Sequence, residues 1–475
     1  MSRQPTSAHP PFYTMAKPNP ALRMLGLPNL PSKLPSRNWL IFWGVTTTFS
    51  AAIIYDRREK IRATQRWAAA VAPLAKQPLS DLNEMPRRIT VYLEAPPGDG
   101  LRAAQDHFKE YIKPILSSSG LDWEFVVGRR QGDIRAAVAE HIRRQRRREE
   151  QAAQPVVEAV PAAAESALDA SIDGEPNSTD PNAPNSTSPA PALAPVDPEL
   201  ALDADVIEDL RRRSGIEPYQ GIKGDLVVGR TTWKEYVRGL HEGWLGPPRK
   251  PAELIEAEAA AAELEAKLKA ESTTSEPPKA EPATPKRPPQ PQPYNKVADY
   301  TTSAVPANMP ETLGPAVAVQ FPHLLGFLNT PIRLWRFLHR RRVADDIGRE
   351  VAALCFATAQ REFRSNEIET ALDFEEKNWT KTVFEDDKDD NGNVINTTKE
   401  KIWPLAVTVD PRIGERMRRF EVDADAEAAA RAIKVPEELI EGWTKGKFRQ
   451  LGRWAWRKAS GAGKFDVKLG SLEDN

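Results

Sequence analysis

Arg88-Ile89-Thr90-Val91-Tyr92-Leu93-Glu94-Ala95 sets Ile89, Val91 and Leu93 against Thr90, Tyr92 and Glu94, the two-residue period of a β-strand. The loop Pro96-Pro97-Gly98-Asp99-Gly100 follows it. Beyond that, Leu101, Ala104, Phe108, Tyr111, Ile112 and Ile115 recur at helical spacing. A second strand is expected over Leu121–Val127, ending at Gly128, and a second helix opens near Asp133 with Ile134, Val138, His141 and Ile142 on one face. Strand, helix, strand, helix is the unit of a sheet with crossover helices. The chain therefore reads as α/β, with α+β as the alternative.

Outward from this unit the pattern is less regular. Residues 59–72 form a helix stopped by Pro73. Arg143, Arg144, Arg146, Arg147 and Arg148 end the second helix, either as a solvated C-terminus favoured by the helix dipole or as a basic patch; the first reading is preferred. Gly224–Leu240 reads as strand, turn and helix. Val-Val-Gly-Arg occurs at 126–129 and again at 227–230, each time between a strand and a helix. It could be a phosphate cradle, but the preferred reading is a turn that needs a small residue, because no glycine-rich nucleotide loop accompanies it. Residues 321–328 are apolar. Thr330 is the expected N-cap and Pro331 the first residue of a helix carrying Leu334, Trp335 and Phe337 among Arg333, Arg336 and Arg340. That helix suits an anionic membrane surface or a core-facing stripe equally. Val343–Phe363 reads as a core helix with Cys355 as a buried small hydrophobe.

Length and composition bound the rest. The 475 residues leave room for two or three domains, and the 43 prolines cluster at the N-terminus and in two internal stretches. The expected layout is a Pro-rich basic leader over 1–38, a transmembrane helix over 39–55 and a soluble domain with disordered insertions. That domain divides into the β-α-β-α part at 56–149, a disordered linker at 150–198, a strand-helix segment with a charged helix at 199–271, a second Pro-rich linker at 272–315, and a helical part at 316–475 with a basic aromatic C-terminus. Charge is nearly balanced, 66 basic against 67 acidic residues, yet no acid precedes Asp56. The early basic excess lies in a proline-rich tail rather than a folded domain, which argues against nucleic acid. One cysteine excludes an internal disulfide and a Cys-rich zinc site.

Trp39–Tyr55, WLIFWGVTTTFSAAIIY, is uncharged and bounded by Arg37 and Asp56-Arg57-Arg58. As a helix it would span about 26 Å, near the lower limit for a hydrocarbon core. Trp39, Trp43 and Tyr55 sit where an aromatic belt would. Thr46, Thr47, Thr48 and Ser50 can bond back to helix carbonyls or face another span. Arginines flank both sides, so charge does not set the orientation.

Chemistry has no visible address. Asp387–Val394 matches the first eight positions of a calcium loop, but Thr398 stands where the bidentate Glu belongs. The preferred reading is an acidic hairpin tip, with strands at Lys381–Glu385 and Ile402–Val409. Gly461-Ala462-Gly463-Lys464-Phe465 fails as a phosphate loop, since Phe465 replaces the Ser or Thr that holds magnesium. The six histidines show no metal-ligand spacing. No catalytic residue, cofactor or metal is expected. Trp443–Lys464 carries basic residues, no acid, and Trp443, Trp454 and Trp456; it docks on anionic lipid or an acidic partner, or packs on its own domain.

Several motifs together resemble a known family: Arg37-Asn38-Trp39-Leu40 entering the span, Thr90–Leu93 with Pro96–Gly100, Gly229–Tyr236 with Gly243–Pro247, and Leu324–Pro331. The chain resembles subunit fifty-four of the fungal mitochondrial import inner membrane translocase. The resemblance implies a leader in the matrix and residues 56–475 in the intermembrane space. It also implies three kinds of partner: other subunits of the carrier translocase, small intermembrane-space chaperones, and carrier precursors. Arg230, Trp233, Arg336, Arg340, Trp443, Trp454 and Trp456 are the candidate partner or lipid contacts. The rival reading is a type II single-pass glycosyltransferase, supported by the DxD at Asp387 and sequons at Asn177, Asn185, Asn378 and Asn396. The single cysteine and the missing nucleotide loop count against it.

Overall fold

The computed structural model describes residues 36–78, 83–153, 210–256 apart from 212, 218 and 220, then 259–260, 263, 290–385 and 400–459. The chain divides into two compact units, Met1–Arg57 and Arg58–Asn475. The second unit holds four parallel strands in the order β2-β1-β3-β4: β1 Arg88–Glu94, β2 Asp122–Gly128, β3 Asp225–Val228 and β4 Ala316–Val319. Val91 pairs with Phe125 on one side and with Leu226 on the other, and Leu226 pairs with Val317. A mixed α/β fold with a parallel sheet is thus what the chain adopts.

Both sheet faces are covered, as parallel strands require. Ile89, Val91 and Leu93 face a core built with Trp67 and Val71 at the end of α1 (Arg37–Val71). The helices α2 (Leu101–His107) and α3 (Lys113–Ser119), joined by a π-turn over Phe108–Ile112, share that core with α7 (Arg340–Phe356). On the opposite face Tyr92 and Val227 pack under α4 (Asp133–Ala153) and α5 (Arg230–Leu245). The residues that alternation assigns to the polar face of β1 are therefore not solvated; Tyr92 and Glu94 are buried. Gly120, at φ 71°, ends α3 in the left-handed conformation that caps helices.

Several expectations are corrected. Ile402–Val409 forms no strand and Lys381–Val383 is a 3-10 turn, so the hairpin arms are absent; Asp387–Val394 lies outside the described residues. The core helix stops at Phe356, where Ala357 turns left-handed at φ 49°. The strand β5 (Ala359–Glu362) follows it and pairs antiparallel with β6 (Arg418–Glu421). The helix α6 (Thr330–Phe337) has Asn329 rather than Thr330 at its N-cap position, with no side-chain cap bond: the Asn329 side-chain amide donates to the Leu325 carbonyl (2.7 Å) and the Thr330 hydroxyl to the Phe327 carbonyl. The expected linker 272–315 is folded where it is described: Tyr300, Met309 and Leu313 are buried against the α4–α5 face. Proline fixes the backbone without removing apolar side chains, so a Pro-rich stretch can still line a core.

In the first unit, Trp39–Tyr55 lies within α1 and its large apolar side chains are exposed. Trp39 stacks on Trp43, with ring centroids 6.3 Å apart. The Thr47 hydroxyl donates to the Trp43 carbonyl (2.6 Å) and Thr48 to the Gly44 carbonyl (2.8 Å), the expected back-bonding. Among the described residues no helix is long and apolar enough to cross a membrane. The hydroxyls of Thr46, Thr47, Thr48 and Ser50 dilute the stretch, and Arg37 and Asp56 close it at either end.

Candidate functional site

Open parallel sheets bind ligands beyond the carboxyl ends of their strands, where the winding direction reverses. Here that point lies between β1 and β3. Gly229, at φ 89°, turns β3 directly into α5, so the first amides of α5 face the crevice. They are already occupied. The Arg230 amide donates to Glu375 Oε2 (2.9 Å) and the Phe321 amide to Glu375 Oε1 (2.6 Å). The Arg230 guanidinium reaches Glu376 (2.6 Å) and the Ala371 carbonyl (2.7 Å). Burial pushes the Glu375 carboxyl up to about 8, while its two amide donors and Arg230 pull against that rise.

The N-terminus of α4 is filled in the same way. The amides of Gly132 (2.5 Å), Ile134 (3.1 Å) and Arg135 (3.3 Å) all donate to Glu235, which also accepts from the Trp403 indole (3.1 Å). Glu94, at the end of β1, is buried beside it; burial and the neighbouring Glu235 raise its pKa well above the ordinary value. Between Pro96, Pro97, Gly229, Phe321 and Trp379 about 10 Å³ remains, the room of one water. Both Val-Val-Gly-Arg turns thus open helices whose first amides are already bonded by the chain's own Glu235 and Glu375 side chains, which displaces the phosphate-cradle reading.

The arginine run ending α4 is neither a solvated terminus nor a surface patch. Arg135 and Arg143 are buried and both bind Glu242 of α5. Arg146 donates to the carbonyls of Gly243 (2.7 Å) and Gly246 (2.8 Å), and Arg147 to Pro248 (2.9 Å). Burial alone would raise the Glu242 pKa, but Arg135, Arg143 and Arg238 overcome that and lower it. Glycine makes the close approach of these helices achievable: a Cβ on Gly239 or Gly243 would fall 2.8 Å from Val138 or Ile142.

Two buried histidines tie loops to this frame. His241 accepts from the Asp410 amide at Nε2 (2.9 Å), so its Nδ1 carries the proton that meets the Val237 carbonyl (2.7 Å). His107 Nε2 bonds the Gln320 carbonyl (3.0 Å). Burial lowers both to about 4 from 6.5. A folded pKa below the unfolded one gives stability that is complete above 6.5 and drains as pH falls toward 4. Replacing His107 by Gln, which can still donate to Gln320, should therefore shrink the loss of unfolding free energy between about pH 7 and about pH 5 by roughly 2 kcal/mol. Denaturant melts of the two proteins at both pH values measure it; an unchanged loss would show that His107 titrates normally.

The residues singled out in the sequence separate into two groups. Arg230 and Trp233 are buried, at 4% and 0% exposure, and so are inward pillars rather than outward contacts: the Trp233 indole bonds the Ile368 carbonyl (2.8 Å). The expectation fails because an Arg–Trp pair at a helix start reads the same whether a covering loop lies over it or not. Arg336 and Arg340 are half-buried, and both line an open groove of about 860 Å³ between α2 and α6. Trp454 and Trp456, on α12 (Trp443–Ala459), are exposed; the Trp443 side chain lies outside the described residues. Glu235, Glu242 and Glu375 were not singled out in the sequence, because the groups they bind lie about 50 or more residues away, though Glu235 and Glu242 fall inside or beside the quoted Gly229–Pro247 motifs. Among the described residues no group of three or more His, Cys, Asp or Glu is placed to hold a metal ion.

The profile of the family described as inner membrane protein import complex subunit Tim54 matches residues 19–420. The mitochondrial import inner membrane translocase subunit tim54 of Neurospora crassa is 47% identical, over 96% of this chain and 91% of its own length. The Aspergillus oryzae subunit of the same name is 37% identical over 88% of this chain and 91% of its own. The Saccharomyces cerevisiae subunit is 29% identical over 86% and 95%.

Proposed function

The chain belongs to the Tim54 family of inner-membrane protein import complex subunits, and from that premise we propose that it is a non-enzymatic subunit of the mitochondrial inner-membrane translocase. Family membership over residues 19–420 carries this reading and sets aside the secretory glycosyltransferase. The filled crevice supports a structural role: at the place where an α/β enzyme would hold substrate, Glu235 and Glu375 occupy the helix N-termini.

In this reading Trp39–Tyr55 anchors the chain in the inner membrane, residues 1–38 lie in the matrix, and residues 56–475 lie in the intermembrane space. The subunit scaffolds the translocase that inserts carrier proteins and presents its domain to the small chaperones that deliver them. The stretch is short for a span, yet Thr47 and Thr48 already bond their own helix, which reduces the cost of hydroxyls in lipid. Arg37 and Arg57 can extend it by reaching toward the headgroups. Protease added to mitochondria with ruptured outer membranes should degrade the domain and leave a small protected N-terminal fragment. A domain that stays protected after rupture would place it in the matrix and overturn the reading.

A further inference from the structure

Two helices at the surface of the folded domain carry exposed aromatic residues among cations, and neither has an acidic residue within it. On α6 no residue is buried: Trp335 is 57% exposed, Ile332 and Leu334 nearly half, and the preceding turn offers Phe327 and Leu328 at 89% and 91%. Arg333, Arg336, Arg340, Arg341 and Arg342 accompany them, with no acid between Leu324 and Ala344. On α12, Leu451, Trp454 and Trp456 are exposed at 62%, 55% and 74%, between Arg449, Arg453 and Arg457.

Ion pairs hold both helices to one short stretch of α1. Arg58 binds Glu437 (2.5 Å) and Glu441 (2.8 Å) of α11 (Glu437–Glu441). Those carboxylates in turn bind Arg453 (3.2 Å) and Arg449 (3.1 Å) of α12. Lys60 binds Glu110, which also lies 3.7 Å from Arg340, the residue that opens α7 just after α6 ends at Phe337. Arg58 and Lys60 follow Tyr55 by three and five residues. In any conformation five residues reach at most about 18 Å, so the stretch that holds both helices stays close to the end of the anchor.

We propose that the 327–337 segment and α12 form a collar that docks on the anionic bilayer surface where the chain leaves the membrane. The proposal rests on the reading of Trp39–Tyr55 as an anchor. Aromatic and aliphatic side chains flanked by arginine are what an interfacial helix presents to headgroups, and neither helix carries an acid of its own to repel anionic lipid. An apolar protein partner would not need such one-sided charge. Docking through two helices would limit tilting of the domain on its tether.

The full chain, reconstituted with phosphatidylcholine alone or with added phosphatidylglycerol, tests this. An environment-sensitive fluorophore is placed at Leu328→Cys, Trp456→Cys, Phe49→Cys in the anchor, or Ser117→Cys on α3, and quenched by spin-labelled lipid. Cys355 is buried, with its thiol pushed up to about 12, so it does not compete for the label. Quenching at 328 and 456 in anionic but not neutral vesicles, with none at 117, is the expected result. Arg333→Gln with Arg342→Gln should weaken docking at 328 about fivefold per cation removed. Quenching at 49 without quenching at 328 and 456 overturns the collar and leaves the anchor standing, making these helices a surface for protein. Quenching at 328 and 456 without 49 keeps the docking and overturns the anchor. No quenching at any position overturns both.

Discussion

Replacing Glu242 by Ala should cost the folded domain about 3–5 kcal/mol, enough to unfold a large part of the population at physiological temperature. Arg135, at 0% exposure, and Arg143, at 3%, lie against this one carboxylate, and the Tyr294 amide donates to it as well (3.1 Å). Removing the carboxylate leaves two guanidinium charges buried at the α4–α5 seam. Neither can reach water without separating helices that Gly239 and Gly243 hold in close contact. The measurement is thermal or denaturant unfolding of the full chain in mild detergent. A variant within about 1 kcal/mol of wild type would show that water reaches the seam.

Glu375→Ala is the second large effect, for a different reason. It strands the buried amides of Arg230 and Phe321 and removes a neighbour of the Arg230 guanidinium. Two orphaned donors at roughly 1–3 kcal/mol each give a loss of about 2–6 kcal/mol. The same substitution empties a helix N-terminus. Acetate, which restores a carboxylate there, should raise the melting temperature of the variant while leaving wild type unchanged. If acetate affects both proteins equally, the socket is not an anion site and the argument for a self-filled crevice fails.

Legibility in the sequence followed the range of the interactions. β1, the α2–α3 segment, β2 and α4 were visible because each is written in a local period: Ile89, Val91 and Leu93 for the strand, Ala104, Phe108, Ile112 and Ile115 for the helix. Back-bonding of Thr47 and Thr48 was visible for the same reason, since donor and acceptor lie one turn apart. The expected hairpin failed because Asn391-Gly392 is a strong turn signal only when its arms find each other, and Ile402 instead packs inward near Lys234 and Arg238. The misreading of the α4 arginines is similar. Five cations at the end of a helix have the composition of a surface patch, and what decides otherwise is a segment about a hundred residues away, whose Glu242 binds Arg143 and whose Gly243, Gly246 and Pro248 carbonyls accept from Arg146 and Arg147.

Residue order alone established the α/β class, the absence of acids before Asp56, the uncharged stretch 39–55 and the family, because period, composition and motif spacing are properties of the chain before it folds. Which charges are buried, which helix starts are filled and which aromatics remain exposed were decided by tertiary packing. Arg230 and Arg336 illustrate the difference: both lie in basic aromatic helices, yet the segment bearing Glu375 and Glu376 closes over Arg230, while the surface beside Arg336 remains an open groove. Solvation of a charged or aromatic side chain depends on what the rest of the chain brings against it, and that covering is set by contacts between distant segments.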